Sequence, residues 1–454
     1  MYKQCLVYWL VLCGTVVSAW GQNGGYPYPD FAFLRGDENY RGLDTVDQLP
    51  KAWHRIKWIP LGQHSGLSFG GEGRSELQIL RQEAWIPDNH DAALFQRLMG
   101  HADLQLGERF RTFVQLKAGK AFGRNGDPAP LDQGLDVHQA FMVWREAQWR
   151  IEIGRQELSY GSRRLIAVRE GTNIRHSFDG GRFIVEKPKL RIDALFYAYN
   201  LQDPGVFTNR VTDEQLMWGT YAVWALKPQK INLDLYYLGL RNNAPRFAEG
   251  SERELRHSFG FRHWGNWGAI RYNTEGVLQF GSFGSSSIFG WTLSNESYWR
   301  PKTSWMPTLG LKAEIISGDR ALHDGRLESF NPLYPRGGYF GLLALIGPVN
   351  LMDIHPSLEW SLSGGWSIAL DWDFFWRHQL ADGIYFPSGR LNLAGDTSTE
   401  RFIGHQLGMQ VGRPINAFWE VQLAAFYFAP GAFLKEVTPG EPFIQLGASV
   451  SYRF

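Results

Sequence analysis

The twelve residues Trp366–Arg377, WSIALDWDFFWR, divide by parity into two sets of different chemistry. Trp366, Ile368, Leu370, Trp372, Phe374 and Trp376 are all apolar. Ser367, Ala369, Asp371, Asp373, Phe375 and Arg377 carry the charge. A helix would spread both sets around its circumference, whereas a strand sends them to opposite faces. The segment therefore predicts a strand with one apolar face and one charged face.

The same alternation recurs in both directions along the chain. In Ile231–Gly239, Asn232, Asp234 and Tyr236 oppose Ile231, Leu233 and Leu235. In Arg109–Gly119, Arg109, Arg111, Gln115 and Lys117 oppose Phe110, Thr112, Val114 and Leu116. About eighteen such segments reach the roughly 9–11 residues that a tilted membrane strand needs. Val137–Trp144 and Ser285–Ser297 are the least regular.

The connections predict how these strands are joined. If the strand near Leu67–Leu80 rises from the periplasm, every second connection is a short turn: Gly107-Glu108, Ala147, Lys187-Pro188, Lys227-Pro228-Gln229, Gly265-Asn266, Tyr298–Trp305, Gly364-Gly365 and Arg413-Pro414. The connections between them are long: Phe122–Leu135, Glu157–Phe178, Arg241–Arg253, Ser317–Asn350 and Gln379–Glu400. Short periplasmic turns alternating with long extracellular loops are the rhythm of an outer-membrane barrel. Trp149, Trp224, Trp264, Trp267, Trp299, Trp305, Trp366 and Trp419 lie beside the short turns, where an aromatic girdle would mark the membrane interface. The chain closes on FIQLGASVSYRF, whose Ile444, Leu446, Ala448, Val450, Tyr452 and Phe454 share one face. Such a terminal strand is what barrel-insertion machinery reads. The expected fold is all-β: a transmembrane antiparallel β-barrel of about eighteen strands, set among outer-membrane lipid and lipopolysaccharide.

Composition agrees with this and excludes other classes. Aromatic residues are 15% of the 454, with 51 Gly and a net charge of +1. A mean hydropathy of −0.29 is what apolar and pore-facing residues produce when they alternate. A balanced charge offers no electrostatic footprint for nucleic acid. Lys3, the apolar run Cys5–Val17, and the small residues Ser18, Ala19 and Gly21 have the layout of a secretory signal peptide. Both cysteines fall within it, so the mature chain would hold no disulfide or thiolate site. The expected organisation is a signal peptide over 1–21, a periplasmic N-terminal segment over 22–60 and the barrel over 61–454.

A barrel this wide keeps an aqueous lumen unless loops fill it, and inward charge sets its selectivity. The alternation turns Arg74, Arg109, Arg111, Arg191 and Arg377 inward among about as many acids, including Glu72, Glu76, Asp103, Glu152, Asp193, Asp234, Glu314, Asp371 and Asp373. Many of these charges are expected to pair across neighbouring strands. The stretch from Arg155 to Arg182 breaks the balance, with Arg155, Arg163, Arg164, Arg169, Arg175 and Arg182 against Glu157, Glu170 and Asp179. Guanidinium forks match carboxylates, so Arg155, Arg163, Arg164, Arg175 and Arg182 complete the candidate pore lining for an anionic solute. The alternative for this stretch is a solvated loop or one that binds lipopolysaccharide phosphates. No HExxH, GxSxG, Walker loop or Cys/His cluster is present, so neither an enzyme nor a metal or other cofactor is expected.

Several segments resemble the alginate-export family of outer-membrane barrels: LRGDENYRGL (Leu34–Leu43), LSFGGEGR (Leu67–Arg74), GRQELSYGSRRL (Gly154–Leu165), SFDGGR (Ser177–Arg182), NPLYPRGGYFG (Asn331–Gly341) and APGAFL (Ala429–Leu434). The resemblance implies a monomeric eighteen-stranded barrel whose arginine-rich constriction passes an anionic polyuronate. Arg74, Arg155, Arg164 and Arg182 are its matched arginines. The balanced strand charge departs from a strongly electropositive pore. The leading expectation is passive passage of an anionic polysaccharide or related carboxylated solute. The alternatives are a nutrient-uptake porin for small carboxylates or oligosaccharides and an outer-membrane enzyme that modifies lipid or glycan.

Overall fold

The computed structural model describes residues 31–45, 52–124, 133–227, 230–303, 306–337, 340 and 345–454. The expected signal peptide lies outside them. Eighteen long strands run in chain order: β1 (Ser65–Arg81), β2 (Asp91–Leu106), β3 (Phe110–Phe122), β4 (Gln133–Arg145), β5 (Trp149–Gln156), β6 (Phe178–Lys187), β7 (Leu190–Leu201), β8 (Arg210–Lys227), β9 (Ile231–Asn242), β10 (Glu254–Trp267), β11 (Ile270–Phe283), β12 (Ser286–Trp299), β13 (Thr308–Ile316), β14 (Leu351–Ser361), β15 (Ser367–Arg377), β16 (Phe402–Pro414), β17 (Trp419–Pro430) and β18 (Phe443–Arg453). Each pairs antiparallel with the next, and β18 closes on β1 from Glu72 opposite Arg453 to Arg81 opposite Ile444. Closure removes the free sheet edges that hydrocarbon could not hydrate.

The alternation is realised in three dimensions. Leu98, Met142, Ile153, Phe196, Leu235, Leu278, Leu407 and Leu423 are all more than half exposed on the outside. A continuous apolar band of this size would be untenable in water, and hydrocarbon covers it. Trp149, Trp224, Trp267, Trp299 and Trp366 face outward beside the short turns as an interface girdle, and Trp419 packs on Tyr452 with ring centroids 4.7 Å apart. Trp264 departs from the expectation. It falls on the inward parity of β10, and its indole N–H donates to Asp234 at 2.7 Å. Trp305 lies outside the described residues.

Two turns shift from their expected places. The β10–β11 hairpin turns at Gly268-Ala269 rather than Gly265-Asn266. Gly268 adopts φ +60 there, a left-handed conformation that costs glycine nothing. The last short turn follows Pro414 rather than containing it. One connection on the long-loop side is itself short, Gly284-Ser285 between β11 and β12. The irregularity expected near Val137 is real: β3 and β4 slip register between Gln115 and Leu116 and again between Lys117 and Gly119.

Candidate functional site

The lumen is crossed by the loop 157–177. One end is tied to the β1–β2 wall. Arg74 donates to the backbone oxygens of Glu170 and Thr172 at 3.2 and 3.0 Å. Arg97, fully buried, donates to both Glu72 and Glu170 at 2.6 and 2.5 Å. The other end reaches the opposite wall, where Arg164 meets Glu275 of β11 at 3.5 Å and makes a short ion pair with Glu314 of β13. Ser162 also donates to Glu275. Leu158, Ile166, Ala167, Val168 and Ile174 are at most 1% exposed, so apolar burial holds the loop between its ionic anchors.

A second loop, 317–350, lies against the first. Ile166 and Tyr334 form a parallel bridge, with Ala167 N–H donating to Tyr334 O and Tyr334 N–H to Leu165 O, both at 2.8 Å. This loop hangs from the wall at Asn331, whose amide donates to the Glu254 carboxylate at 2.9 Å and whose backbone exchanges hydrogen bonds with Gln279. Such satisfied buried networks fix a loop in one place.

The N-terminal segment fills the short-turn side. Arg111, held by Asp103 at 2.7 Å, donates to the carbonyls of Gly36 and Glu38 at 2.7 and 3.1 Å. Arg35 donates to the terminal Phe454 oxygen at 2.8 Å. Gly36 approaches the Phe141 ring so closely that an added Cβ would sit 3.2 Å from it. Phe33 lies beneath the guanidiniums of Arg163 and Arg175, 4.9 and 5.3 Å from its ring centre, and Arg175 donates to its carbonyl at 3.2 Å. The N-terminal segment and the crossing loop thus form one stack inside the barrel.

The candidate arginines have separate fates. Arg74, Arg164 and Arg175 anchor the crossing loop, Arg175 through Glu157 and Glu170, each at 2.9 Å. Arg111 anchors the N-terminal segment. Arg182 donates to Glu152 and Arg191 to Asp193, both at 2.7 Å, on the inner wall toward the short turns. Arg163 contacts Phe33 from a left-handed backbone, φ +63. Three placements differ from a pore lining. Arg155 shares the outward parity of Ile151 and Ile153 and pairs with Asp179 at 3.0 Å, because both residues lie on that same face. Arg377 is fully buried and donates to the carbonyls of Leu380, Asp382, Gly395, Ser398 and Glu400, so it ties down the loop 378–401. Arg109 is 64% exposed at a turn beside Glu146.

The loop carboxyls show what this crowding does. Burial pushes Glu170 up, but Arg97, Arg175 and Arg74 outweigh it and hold the carboxyl at about 2. Burial pushes Glu157 up to about 7 against the pull of Arg175 and Lys117. Three small spaces adjoin this loop and the N-terminal segment. One of about 200 Å³ lies on the short-turn side among Asp37, Arg111, Arg145, Arg150 and Arg182. Another of about 220 Å³ follows the β1–β17–β18 wall past Arg74, Glu170, Glu420, Gln422 and Arg453. A third of about 320 Å³ opens on the long-loop side beside Arg169, Tyr199 and Tyr334. It is built from six segments far apart in sequence. Arg169 stood in the arginine-rich stretch and Tyr334 in the segment NPLYPRGGYFG, but no sequence signal marked Tyr199, Arg246 or Arg390.

The family model described as alginate export matches residues 66–441. No curated protein matches the sequence. Among solved structures, Pseudomonas aeruginosa OccK2 (OpdF) in complex with glucuronate aligns with a TM-score of 0.57 at 13% identity, over 86% of this chain and 96% of that one. P. aeruginosa OpdK with vanillate aligns at 0.59 and 11% identity, over 85% and 98%. OccK5 (OpdH) from the same organism aligns at 0.57 and 11%, over 86% and 98%. At these identities the likeness is one of fold. The family match runs from β1 to the residue before the closing strand's approach, and the fold is that of outer-membrane porins; this chain belongs to the alginate-export family and is an outer-membrane channel.

Proposed function

We propose that the channel passes carboxylated solutes of monosaccharide to short-oligosaccharide size, passively and with preference for anions. The observation that carries this is the loop 157–177, tied to opposite walls by Arg97–Glu170 and Arg164–Glu314. Three spaces that it helps to line measure about 200 to 320 Å³, at or below the small end of ordinary ligand pockets, ~300–1,000 Å³. Arg145 and Arg169 line two of them and have no ion-pair partner among the described residues. Two porins of the same fold were solved with carboxylates, glucuronate and vanillate, which makes this solute class the first to test.

Passage of a polyuronate is the second reading, favoured by the family description. It requires the crossing loop or the N-terminal segment to yield. Reversal potentials across planar bilayers, paired with liposome swelling, separate the two. Anion preference with swelling in glucuronate and simple block by long alginate chains is expected. Free permeation of the long chains would replace the small-solute reading. A pore indifferent to uronate would leave a general channel, and no conductance at all would bring the enzyme reading forward.

A further inference from the structure

The space of about 320 Å³ on the long-loop side has an unusual lining. It draws Arg169 from the loop 157–177, Arg246 from 243–253, Arg390 from 378–401, Asn331, Leu333, Tyr334 and Pro335 from 317–350, Tyr199 from β7 and Gln215 from β8. Three arginines line it and, among the described residues, no aspartate or glutamate does. Arg97, Arg111, Arg150, Arg164, Arg175 and Arg182, by contrast, sit against carboxylates. Arg169 has no side-chain hydrogen bond or ion pair to any described residue, and burial pushes its pKa down with only Tyr199 opposing. Its backbone is left-handed, φ +59, a conformation that costs a non-glycine residue energy and that clusters at ligand sites. Arg246 and Arg390 stand exposed at the rim, Arg390 with its guanidinium 5.2 Å from the centre of the Phe386 ring.

The aromatic part of the wall is fixed. The Tyr199 and Tyr334 rings stack at 5.6 Å and 12°. His176 shares a 2.8 Å hydrogen bond with the Tyr199 hydroxyl, and the Tyr334 hydroxyl donates to Gln215 at 3.2 Å. With the hydroxyls committed, the rings offer rigid apolar surface at low entropic cost. A partly buried, unpaired guanidinium beside flat aromatic surface matches a sugar ring bearing a carboxylate. The planar fork takes the carboxylate in two parallel hydrogen bonds.

We propose that this basin is an external docking site for one hexuronate residue, with Arg169 receiving the carboxylate, Tyr199 and Tyr334 meeting the sugar ring, and Arg246 and Arg390 drawing the anion in. This rests on the carboxylate-channel reading and adds where the solute first binds.

The test is calorimetric titration of the purified full-length barrel with glucuronate, beside glucose and inorganic phosphate. Glucuronate is expected to bind, glucose not, and phosphate more weakly. Arg169→Gln should weaken glucuronate by about tenfold or more, the scale of a lost charge-assisted pair. Arg246→Gln/Arg390→Gln, at exposed positions that cannot unfold the barrel, should weaken it several-fold and flatten its salt dependence. Arg320→Gln, an exposed loop arginine outside the basin, should change nothing. Equal glucuronate affinity in the wild type and both basin variants, with swelling in glucuronate intact, overturns the basin and leaves the channel reading standing. Phosphate binding as tightly as glucuronate overturns the sugar-acid assignment. A wild type that neither binds nor passes glucuronate overturns both.

Discussion

Two groups of arginines in this lumen do opposite work. On the short-turn side, Arg111 is held by Asp103, Arg150 by Glu152 and Glu186, and Arg182 by Glu152, at 2.5 to 2.7 Å. On the long-loop side, Arg169, Arg246 and Arg390 face a basin without a carboxylate. A paired guanidinium has its forks occupied and serves to fix backbone. An unpaired one keeps its forks free for an arriving anion. A count of arginines therefore says little about anion selectivity until their partners are known.

Removing an anchor should have the largest effect. Arg164→Ala leaves Glu275 and Glu314 buried without their cation, a cost on the order of 3–5 kcal/mol. The crossing loop should lose protection in hydrogen exchange and single-channel conductance should rise. Unchanged exchange at 163–168 would mean that apolar burial alone holds the loop. Next comes Arg111→Gln, which releases the carbonyls of Gly36 and Glu38. Hydrogen bonds from charged donors are worth about 1.5–3 kcal/mol. Faster proteolysis of residues 31–45 with β1 to β18 still heat-resistant is expected, while an unaltered cleavage rate would show that Arg35 and Phe33 suffice.

The third prediction uses Glu170, whose carboxyl is held at about 2 against an ordinary 4.5. A depressed value stabilises the charged form. Its contribution is complete above about pH 4.5 and is lost as pH falls from there toward about 2. Gating noise in planar bilayers should grow in that window for the wild type. Glu170→Gln should already be noisy at neutral pH and change little on acidification. Equal acid sensitivity in both would remove Glu170 from the mechanism. The smallest effect belongs to the exposed rim. Arg109→Gln should shift stability by about 0–1 kcal/mol and leave the reversal potential within error. A clear loss of anion preference would mean that the mouth, and not the interior, selects.

The alternation in Trp366–Arg377 carried over intact to β15, where Asp373 and Arg377 are buried inside and Trp372 is exposed outside. Trp264 shows the limit of reading tryptophans from turn proximity, since parity placed it inside with Asp234. Arg155 shows the same for charge. A cation in a strand can lie on the outer face when a partner such as Asp179 lies beside it. Arg377 was legible as inward, but its five loop carbonyls were not.

Sequence by itself determined the closed barrel, its eighteen strands, its short and long connections and the belt that meets lipid. These depend on period-two patterning and turn chemistry, which are local and repeat many times. Only the tertiary structure decided that the loops 157–177 and 317–350 and residues 31–45 fill the lumen. It also decided which arginines are neutralised and that six distant segments build one basin lined by no acid among the described residues. Those outcomes depend on pairing across the barrel between residues as far apart as Arg35 and Phe454. The free energy of each pair is set by distance and desolvation, and neither is written in the order of the chain.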